Sequence, residues 1–409
     1  MSNSRILAGM RVVEASAFVA APLGGMSLAQ MGADVIRIDP LQGGLDHRRW
    51  PVTPDDTSLF WCGLNKSKRS VALDTASAEG RELAAAIICA PGPDAGLFVT
   101  NFPPRGWLAY EDLSRRRPDL IQLTIQGDRQ GGSAVDYTVN CAIGLPYLTG
   151  HGAGDDVVNH VLPAWDLVTG QMAATGLLAA ERQRTRTGLG QHVKLALEDV
   201  ALACAGHLGL VAEAQLGAER PRHGNYLFGA FGRDFVCADG VRIMLVALTS
   251  KQWRTMCQAM QMEEAVAQLG ARLGLDLDRE GDRFRAREDI AGIVARWCAA
   301  TPFAQARAAF DRLGVCWGRY QTVRQRVAAE SDKVRAGAAS VFSEVDQPGV
   351  GRYLMPGQPL RFGAAEEAQT CAAPRLGQHT QEVLAEVLGL TAGEIGRLHD
   401  KGVIAAPVN

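Results

Sequence analysis

The fold is decided by residues 7–40, LAGMRVVEASAFVAAPLGGMSLAQMGADVIRIDP, in which two apolar runs flank a stretch of small residues. The runs at 11–14 and 34–39 are rich in Val and Ile and predict β-strands. The stretch 22–32 between them predicts a helix, and this order is typical of a parallel βαβ unit. The same alternation continues with strands predicted at 70–74, 96–100 and 120–125 and helices at 77–89 and 107–116. Ligands of such sheets bind at the carboxyl ends of the strands.

The remainder of the chain predicts helices followed by a second domain. Segments 167–183 and 193–214 are rich in Ala and Leu and predict buried helices, with a turn at 187–190 between them. Glycine and aromatic residues concentrate at 216–234, which predicts a linker, and Asp239-Gly240 predicts the turn of a β-hairpin. Helical sequence is then expected up to about residue 330, and two further helices near 380–388 and 391–400.

Composition argues against several classes of protein. Lys plus Arg is 42 and Asp plus Glu is 44, whereas a protein that binds nucleic acid through electrostatics is basic. The nine Cys are dispersed without a C-x-x-C pair, which disfavours a disulfide framework and a structural zinc site. The uncharged stretch 15–33 contains Pro and Gly and is too polar for a membrane anchor, and Glu14 interrupts any signal-peptide pattern. We expect a cytoplasmic protein with no nucleic-acid or membrane partner and no metal.

Several catalytic and nucleotide-binding motifs are missing from the sequence. The turn after the first predicted strand reads SAFVAAPLGG and lacks G-x-G-x-x-G, so a nicotinamide-dependent oxidoreductase is disfavoured. No P-loop, H-E-x-x-H or G-x-S-x-G sequence is present either. The residues alone therefore do not define the chemistry.

Five stretches, in this order along the chain, resemble the class III CoA-transferases. They are 7–40, LNKSKRSVALD at 64–74, LFVTNFPPRG at 97–106, PAWDLVTGQMAATGLLAAERQRTRTGLGQHVKLALEDV at 163–200 and PRLGQHTQEVLAEVLGL at 374–390. The resemblance implies an α/β class III CoA-transferase fold with a Rossmann-like large domain and a smaller α+β domain. The large domain would begin at 1–215 and be completed by a returning segment, 331–409, with the small domain at 225–330. The family also implies an interlocked homodimer, in which each chain threads through a hole in the other.

The resemblance implies a CoA thioester as substrate, with coenzyme A as part of that substrate and no other cofactor. It is strongest to the branch that moves CoA between the two carboxyl groups of one mesaconate (2-methylfumarate), converting 2-methylfumaryl-CoA to 3-methylfumaryl-CoA. That branch implies a role in carbon fixation by the 3-hydroxypropionate bi-cycle. An intermolecular CoA-transferase, an acyl-CoA racemase and an inactive CoA-binding protein are the alternatives. Val135 stands where the racemases have a catalytic His, which disfavours racemisation.

Asp166 aligns with the nucleophile of the family. From the residues alone, an Asp before an Ala-rich helix is equally typical of an N-cap. The two roles are compatible, because a helix N-terminus stabilises a carboxylate and would keep Asp166 ionised. Gly224, Gly229 and Gly232 are candidates for backbone groups that stabilise the tetrahedral oxyanions.

The remaining site residues follow from the resemblance and from the scarcity of Lys. Lys66, Lys68 and Arg69 are predicted to line the groove for the CoA phosphates, with a solvated strand edge as the alternative. Positions that match CoA contacts of the family are Val19, Ala20, Arg37, Leu73, Asp74, Asn101, Phe102 and Arg105, although Arg37 is also compatible with an ordinary surface Arg. Substrate contacts are predicted for Asp136, Tyr137, Arg48 and Gly229. His47 and Arg49 are further candidates for the free carboxylate of the acyl group, because an Arg fork suits a carboxylate.

Overall fold

The computed structural model describes residues 5–152, 156–365 and 369–405. The chain divides into two compact units. The first unit comprises Met1–Ile143, His160–Leu216 and Glu330–Asn409, and the second comprises Gly144–Asn159 and Gly217–Ala329. The predicted domain limits lie at neighbouring positions, except that Gly144–Asn159 belongs to the second unit.

A parallel sheet of six strands forms the centre of the first unit. Its strands are β1 (Arg11–Ala15), β2 (Asp34–Pro40), β3 (Arg69–Leu73), β4 (Leu97–Thr100), β5 (Ile121–Gln126) and β6 (Gln191–Ala196). Their order across the sheet is β3-β2-β1-β4-β5-β6, which is the doubly wound order of Rossmann-like domains. The chain direction of the crossovers reverses beside β1, so the crevice at the carboxyl end of β1 is where this fold binds ligands.

Eight helices of the first unit precede or follow these strands. They are α1 (Ala20–Gln30), α2 (Leu59–Leu64), α3 (Ala78–Ile88), α4 (Tyr110–Arg116), α5 (Asp136–Ala142), α6 (Ala164–Thr187), α7 (Leu197–His207) and α8 (Leu210–Gln215). The five predicted strands and the helices between them are confirmed. Residues 193–196, predicted as helix, belong instead to β6, because Val193 and Leu195 pair in register with β5 at the edge of the sheet.

The helices α1 and α6 of this unit pack against each other, and glycines let them approach closely. A Cβ built on Gly24 would lie 3.1 Å from the carbonyl oxygen of Gly170, and one built on Gly170 would lie 2.7 Å from the carbonyl oxygen of Ala20. Because α6 runs back towards the start of β6, its N-terminus lies at the carboxyl edge of the sheet. The first turns of α1 and α6 therefore meet at the ligand-binding edge.

The second unit has its own core around a three-stranded antiparallel sheet. It contains β7 (Phe231–Val236), β8 (Arg242–Ala247), α9 (Ser250–Met260), α10 (Glu263–Leu273), α11 (Glu280–Arg285), α12 (Arg287–Ala300), α13 (Phe303–Leu313) and β9 (Cys316–Arg319). The hairpin predicted around Asp239-Gly240 is confirmed as β7 and β8, which pair antiparallel. The short, polar β9 adds a third strand that was not predicted.

The C-terminal part of the chain completes the first unit. Its elements are α14 (Val323–Arg335), whose residues up to Ala329 belong to the second unit, β10 (Phe342–Gln347), β11 (Gly351–Pro356), α15 (Thr380–Leu388) and α16 (Ala392–Asp400). The last two helices are confirmed, and α15 packs on the same core as β3 and α3. Across the described ranges, no helix has both the length and the apolar character that a membrane span needs. The same ranges hold no group of three or more His, Cys, Asp and Glu placed to bind a metal ion, and the nine cysteines are unpaired.

Candidate active site

Asp166 is the third residue of α6 and lies at the carboxyl edge of the sheet. It does not cap its own helix, because the N-cap position is Pro163 and the cap comes from another element. The Asp136 carboxylate, at the start of α5, accepts hydrogen bonds through Oδ2 from the backbone N–H groups of Trp165 at 2.6 Å and Asp166 at 3.0 Å. The N-cap interpretation of Asp166 is therefore wrong, and Asp136 fills that role.

The second oxygen of Asp136 is bonded as well. Oδ1 lies 2.7 Å from Nε2 of His160, and the Asp136 side chain is buried. With both oxygens bonded to the protein, Asp136 positions the start of α6, and its contact with the acyl group stays a prediction. Tyr137, the other predicted residue of this segment, is 39% exposed, and its ring meets His160 edge-on. The sequence does not indicate the role of His160, since nothing in the 23 residues between it and Asp136 predicts their contact.

The surroundings of the Asp166 carboxyl change its pKa. Burial and the charge of Asp136 raise the pKa of Asp166 to about 7, and the Arg49 guanidinium opposes the rise. This differs from the expectation that the helix N-terminus keeps Asp166 fully ionised, because loss of solvent and a like charge outweigh the helix dipole. A carboxyl that titrates near neutral pH at the ligand-binding edge of the sheet is typical of a functional group.

The loop between β1 and α1 lies in an unusual backbone conformation. Phe18 has φ of 67°, in the left-handed region that non-glycine residues rarely adopt, and its side chain is 38% exposed. The Asn101 side chain holds the neighbouring residue, accepting from the Ala17 N–H at 2.9 Å and donating to the Ala17 carbonyl oxygen at 2.7 Å. Asn101, predicted to contact CoA, thus fixes the loop across the crevice between β1 and β4.

Three consecutive residues after β2 were candidates for the free carboxylate, and the structure separates them. Arg49 lies over the rings of Phe18 and Phe60, with its Cζ 5.7 Å and 5.1 Å from their centroids. Arg48 is exposed and, with the partly exposed His47, lines a cavity of about 340 Å³ whose lining includes neither Arg49 nor Asp166. Of these three residues, only Arg49 has a charge that acts on the pKa of Asp166.

Two predicted CoA-binding cations, Arg37 and Lys68, are buried in an ion network beneath the loop between β1 and α1. The Arg37 guanidinium donates to Asp39 and Asp46 at 3.0 Å, and Lys68 Nζ donates to Glu14 at 2.9 Å. Arg37 also donates to the carbonyl oxygen of Ser16, two residues before Phe18. Because both cations have buried protein partners, their geometry favours supporting the loop over contacting CoA phosphates.

The other two predicted cations also have protein partners. Lys66 Nζ donates to the carbonyl oxygen of Pro356 at 2.9 Å, and burial lowers the pKa of this Lys to about 8. Arg69 pairs with Asp34, Glu382 and Glu386. Neither side chain is placed as an open phosphate site.

The remaining predicted CoA contacts fall into two groups. Val19, Ala20 and Leu73 are buried in the core of the first unit, whereas Asp74, Asn101 and Phe102 are partly exposed and Arg105 is exposed. The second group lies after the carboxyl ends of β3 and β4, where a ligand of this sheet is expected. Their CoA contacts stay predictions.

The glycines proposed for oxyanion stabilisation belong to the second unit. Gly224 and Gly229 have positive φ, and a Cβ on Gly224 would clash with the His151 ring, whereas around Gly229 the space is open. Gly232 lies within β7. Their roles as hydrogen-bond donors, and the predicted substrate contact of Gly229, stay predictions.

The doubly wound sheet and the Asp166 carboxyl at its ligand-binding edge define an α/β protein whose candidate site is built around one carboxyl group with a raised pKa. The CoA-transferase family III model matches residues 7–380, and the chain belongs to this family. Family membership confirms the resemblance and the fold class, and the chain is therefore an enzyme of the CoA-transferase kind.

Comparison with individual proteins gives similarity along the whole chain. It is 57% identical over 404 residues to 2-methylfumaryl-CoA isomerase of Chloroflexus aurantiacus, covering 98% of both chains. It is 28% identical to the beta subunit of succinyl-CoA–L-malate CoA-transferase of the same organism, covering 97% of this chain and 98% of that one. The crystal structure of a CAIB/BAIF family protein from Brucella suis superimposes with a TM-score of 0.75 at 22% identity, covering 94% of this chain and 100% of that chain, which establishes the shared fold.

Proposed function

We propose that this enzyme converts 2-methylfumaryl-CoA to 3-methylfumaryl-CoA by moving CoA from one carboxyl group of the acid to the other. The observation that carries the proposal is the Asp166 carboxyl, held by its backbone at the N-terminus of α6 and titrating near neutral pH. The 57% identity to a 2-methylfumaryl-CoA isomerase supports the choice of substrate.

The reaction requires one nucleophile and two acyl exchanges. The Asp166 carboxylate attacks the thioester carbonyl at C1, and the C–S bond breaks to leave a mixed anhydride and CoA thiolate. The thiolate attacks the aspartyl carbonyl, which gives an aspartyl-CoA thioester and releases the C1 carboxylate of the acid. At this stage the acid is a free dianion and CoA is bonded to Asp166.

The second exchange reverses the first at the other end of the acid. The C4 carboxylate attacks the aspartyl-CoA carbonyl and expels thiolate, which leaves a C4 mixed anhydride. Thiolate then attacks the C4 acyl carbon, forms 3-methylfumaryl-CoA and releases the Asp166 carboxylate. No net proton is transferred, so the enzyme needs an anionic nucleophile and donors for the tetrahedral oxyanions, but no obligatory acid or base.

Mass spectrometry of the purified protein with 2-methylfumaryl-CoA and labelled free mesaconate tests this proposal. The expected result is formation of 3-methylfumaryl-CoA without label, and no conversion by Asp166→Ala. Label in the CoA ester would instead identify an intermolecular transferase, the activity that the name of the malate-specific relative describes. A lack of conversion by both proteins would refute the choice of substrate.

The assembly and the cellular role follow from the family in the same way. We propose an interlocked homodimer in the cytoplasm that acts in carbon fixation. Size-exclusion chromatography with light scattering measures the molar mass of the assembly. A monomer would contradict the proposed homodimer.

A further inference from the structure

Arg49 is an exposed cation next to the nucleophile that has no acidic partner in the described parts of the chain. Its charge lowers the pKa of Asp166, yet the two groups form no hydrogen bond or ion pair within 4.0 Å there. The basic groups beneath the loop between β1 and α1, Arg37 and Lys68, are buried and each bonded to carboxylates. Arg48 and Arg105 are also exposed, but of these three exposed arginines only Arg49 has a charge that acts on Asp166. Arg49 is therefore the guanidinium beside Asp166 that can pair with a ligand.

The position of Arg49 is fixed although its charge is unpaired. Its backbone N–H donates to the carbonyl oxygen of Asp46 at 3.2 Å, and its own carbonyl oxygen accepts from the Ser58 hydroxyl at 2.5 Å. The guanidinium then lies over the rings of Phe18 and Phe60. Stacking on aromatic faces restricts the guanidinium plane while its N–H edge stays available for hydrogen bonds.

The unusual conformation of Phe18 contributes to this arrangement. A non-glycine residue with φ of 67° is strained and persists only where its surroundings hold it. Asn101 and Arg37 supply that hold through the neighbouring residues Ala17 and Ser16. The strained loop presents the Phe18 ring to Arg49 instead of burying it in the core.

The proposed reaction creates a need for such a cation. The thioester substrate carries one free carboxylate, and the intermediate acid carries two while CoA is bonded to Asp166. A dianion in a partly desolvated site is costly unless a cation pairs with it, and the planar guanidinium binds carboxylates through two parallel hydrogen bonds. The acid must also stay bound between the two exchanges, or CoA cannot return to the same molecule.

We propose that Arg49 binds the unreacted carboxylate of the acyl group and retains the free acid while CoA is carried by Asp166. This assignment rests on the proposed function for the identity of the acid. It places the specificity for dicarboxylic over monocarboxylic thioesters on Arg49, whereas the sequence alone favours Arg48.

A binding measurement tests the assignment without requiring turnover. In an Asp166→Ala background, affinities are measured for 2-methylfumaryl-CoA and for 2-methylcrotonyl-CoA, in which a methyl group replaces the free carboxylate. Adding Arg49→Gln is expected to weaken binding of the first thioester by roughly 10- to 100-fold, the range of a hydrogen bond to a charged group, and to leave the second within about twofold. Arg49→Lys, which keeps the charge and loses the fork, is expected to fall between.

Retention of the acid gives a second readout in the otherwise unchanged enzyme. With labelled free mesaconate present, Arg49→Gln is expected to incorporate label into the product, because acid escapes from the intermediate and is replaced from solution. Arg182→Gln, which removes an exposed arginine from the body of α6, controls for the loss of one positive charge. A merely structural defect would slow turnover without opening this exchange.

The outcomes separate this assignment from the proposed function. Equal weakening for both thioesters, or a carboxylate-specific loss in Arg48→Gln instead of Arg49→Gln, overturns the role of Arg49. If the wild-type enzyme already exchanges label, the intramolecular proposal fails and the affinity ratio still decides the role of Arg49. If neither thioester binds to the Asp166→Ala protein, both proposals fail.

Discussion

Replacing Asp136 by Asn is expected to lower the pH at which the enzyme becomes active. The Asp136 carboxylate accepts from the backbone N–H groups of Trp165 and Asp166, and an Asn side-chain oxygen can accept the same two bonds. Asn is as good an N-cap as Asp, so α6 should keep its start. What disappears is a negative charge that raises the pKa of Asp166.

The size of the effect follows from the causes of that pKa. It rises from 3.8 to about 7, with burial as the largest cause and the charge of Asp136 as the second. Because the Asp136 charge is the smaller of the two causes that raise the pKa, we place its contribution at the low end of the ~1–3 pH units that a charge at ~4–6 Å produces. We expect a shift of about one pH unit, equivalent to about 1.4 kcal/mol in the ionisation of Asp166.

The assay is the pH profile of kcat/KM for 2-methylfumaryl-CoA, whose acid limb reports the free enzyme. The wild-type midpoint is expected near pH 7, and that of Asp136→Asn near pH 6. Asp400→Asn, which neutralises an exposed carboxylate at the end of α16, should keep the wild-type midpoint. An unchanged or higher midpoint in Asp136→Asn, with native circular dichroism, would refute the electrostatic argument.

Two further predictions concern stability. Asp166→Asn should stabilise the fold by up to about 4 kcal/mol above pH 7, because the pKa of Asp166 is about 7 in the folded protein and 3.8 in the unfolded chain. The ionised carboxylate therefore destabilises the folded protein at high pH, and the gain from Asn should shrink as the pH falls towards 4. Thermal melts of both proteins at pH 4.5 and pH 8 would detect this change. A constant gain at both pH values would contradict it. Arg37→Met should lower the free energy of unfolding by about 3–5 kcal/mol or prevent folding, since Asp39 and Asp46 stay buried without their cation. In urea denaturation, the Arg37→Met variant should be no more stable than an Arg37→Lys variant. A midpoint within experimental error of the wild type would show that the buried network is dispensable.

Five strands of the sheet could be predicted because they are short segments rich in buried Val, Ile, Leu and Phe, separated by helical segments. The edge strand β6 was not predicted, because Val193 and Leu195 alternate with polar residues and the strand leads directly into the apolar helix α7. Alternation over so few residues is weak evidence against a neighbouring helix. The elements at the centre of the sheet are thus encoded locally, and its edge is fixed by pairing with β5.

The site was predictable only in part, for a related reason. Asp166 carries a recognisable motif, whereas its contacts with Asp136 and the placement of Arg49 depend on which elements meet in space. The prediction for Lys66 and Lys68 relied on the scarcity of lysine, which says nothing about burial. Both are almost completely buried, and their protein partners lie far away in the sequence or on other strands.

Asp136 acts on Asp166 in two opposite ways, one through hydrogen bonding and one through its charge. Through a hydrogen bond, Asp136 fixes the backbone of Asp166, the proposed nucleophile, at the start of α6. Through space, the charge of Asp136 and the surrounding burial make the Asp166 anion less stable than in water. In the proposed reaction, attack on the thioester spreads that charge onto the carbonyl oxygen, so an interaction that disfavours the localised anion is relieved in the transition state and raises the rate. Arg49 acts in the opposite direction on Asp166, and a cation tuned to the substrate carboxylate would weaken its hold on the nucleophile when the substrate binds. Binding of a dicarboxylic thioester would then remove the group that stabilises the resting anion, so the nucleophile becomes most reactive only when the correct acid is present.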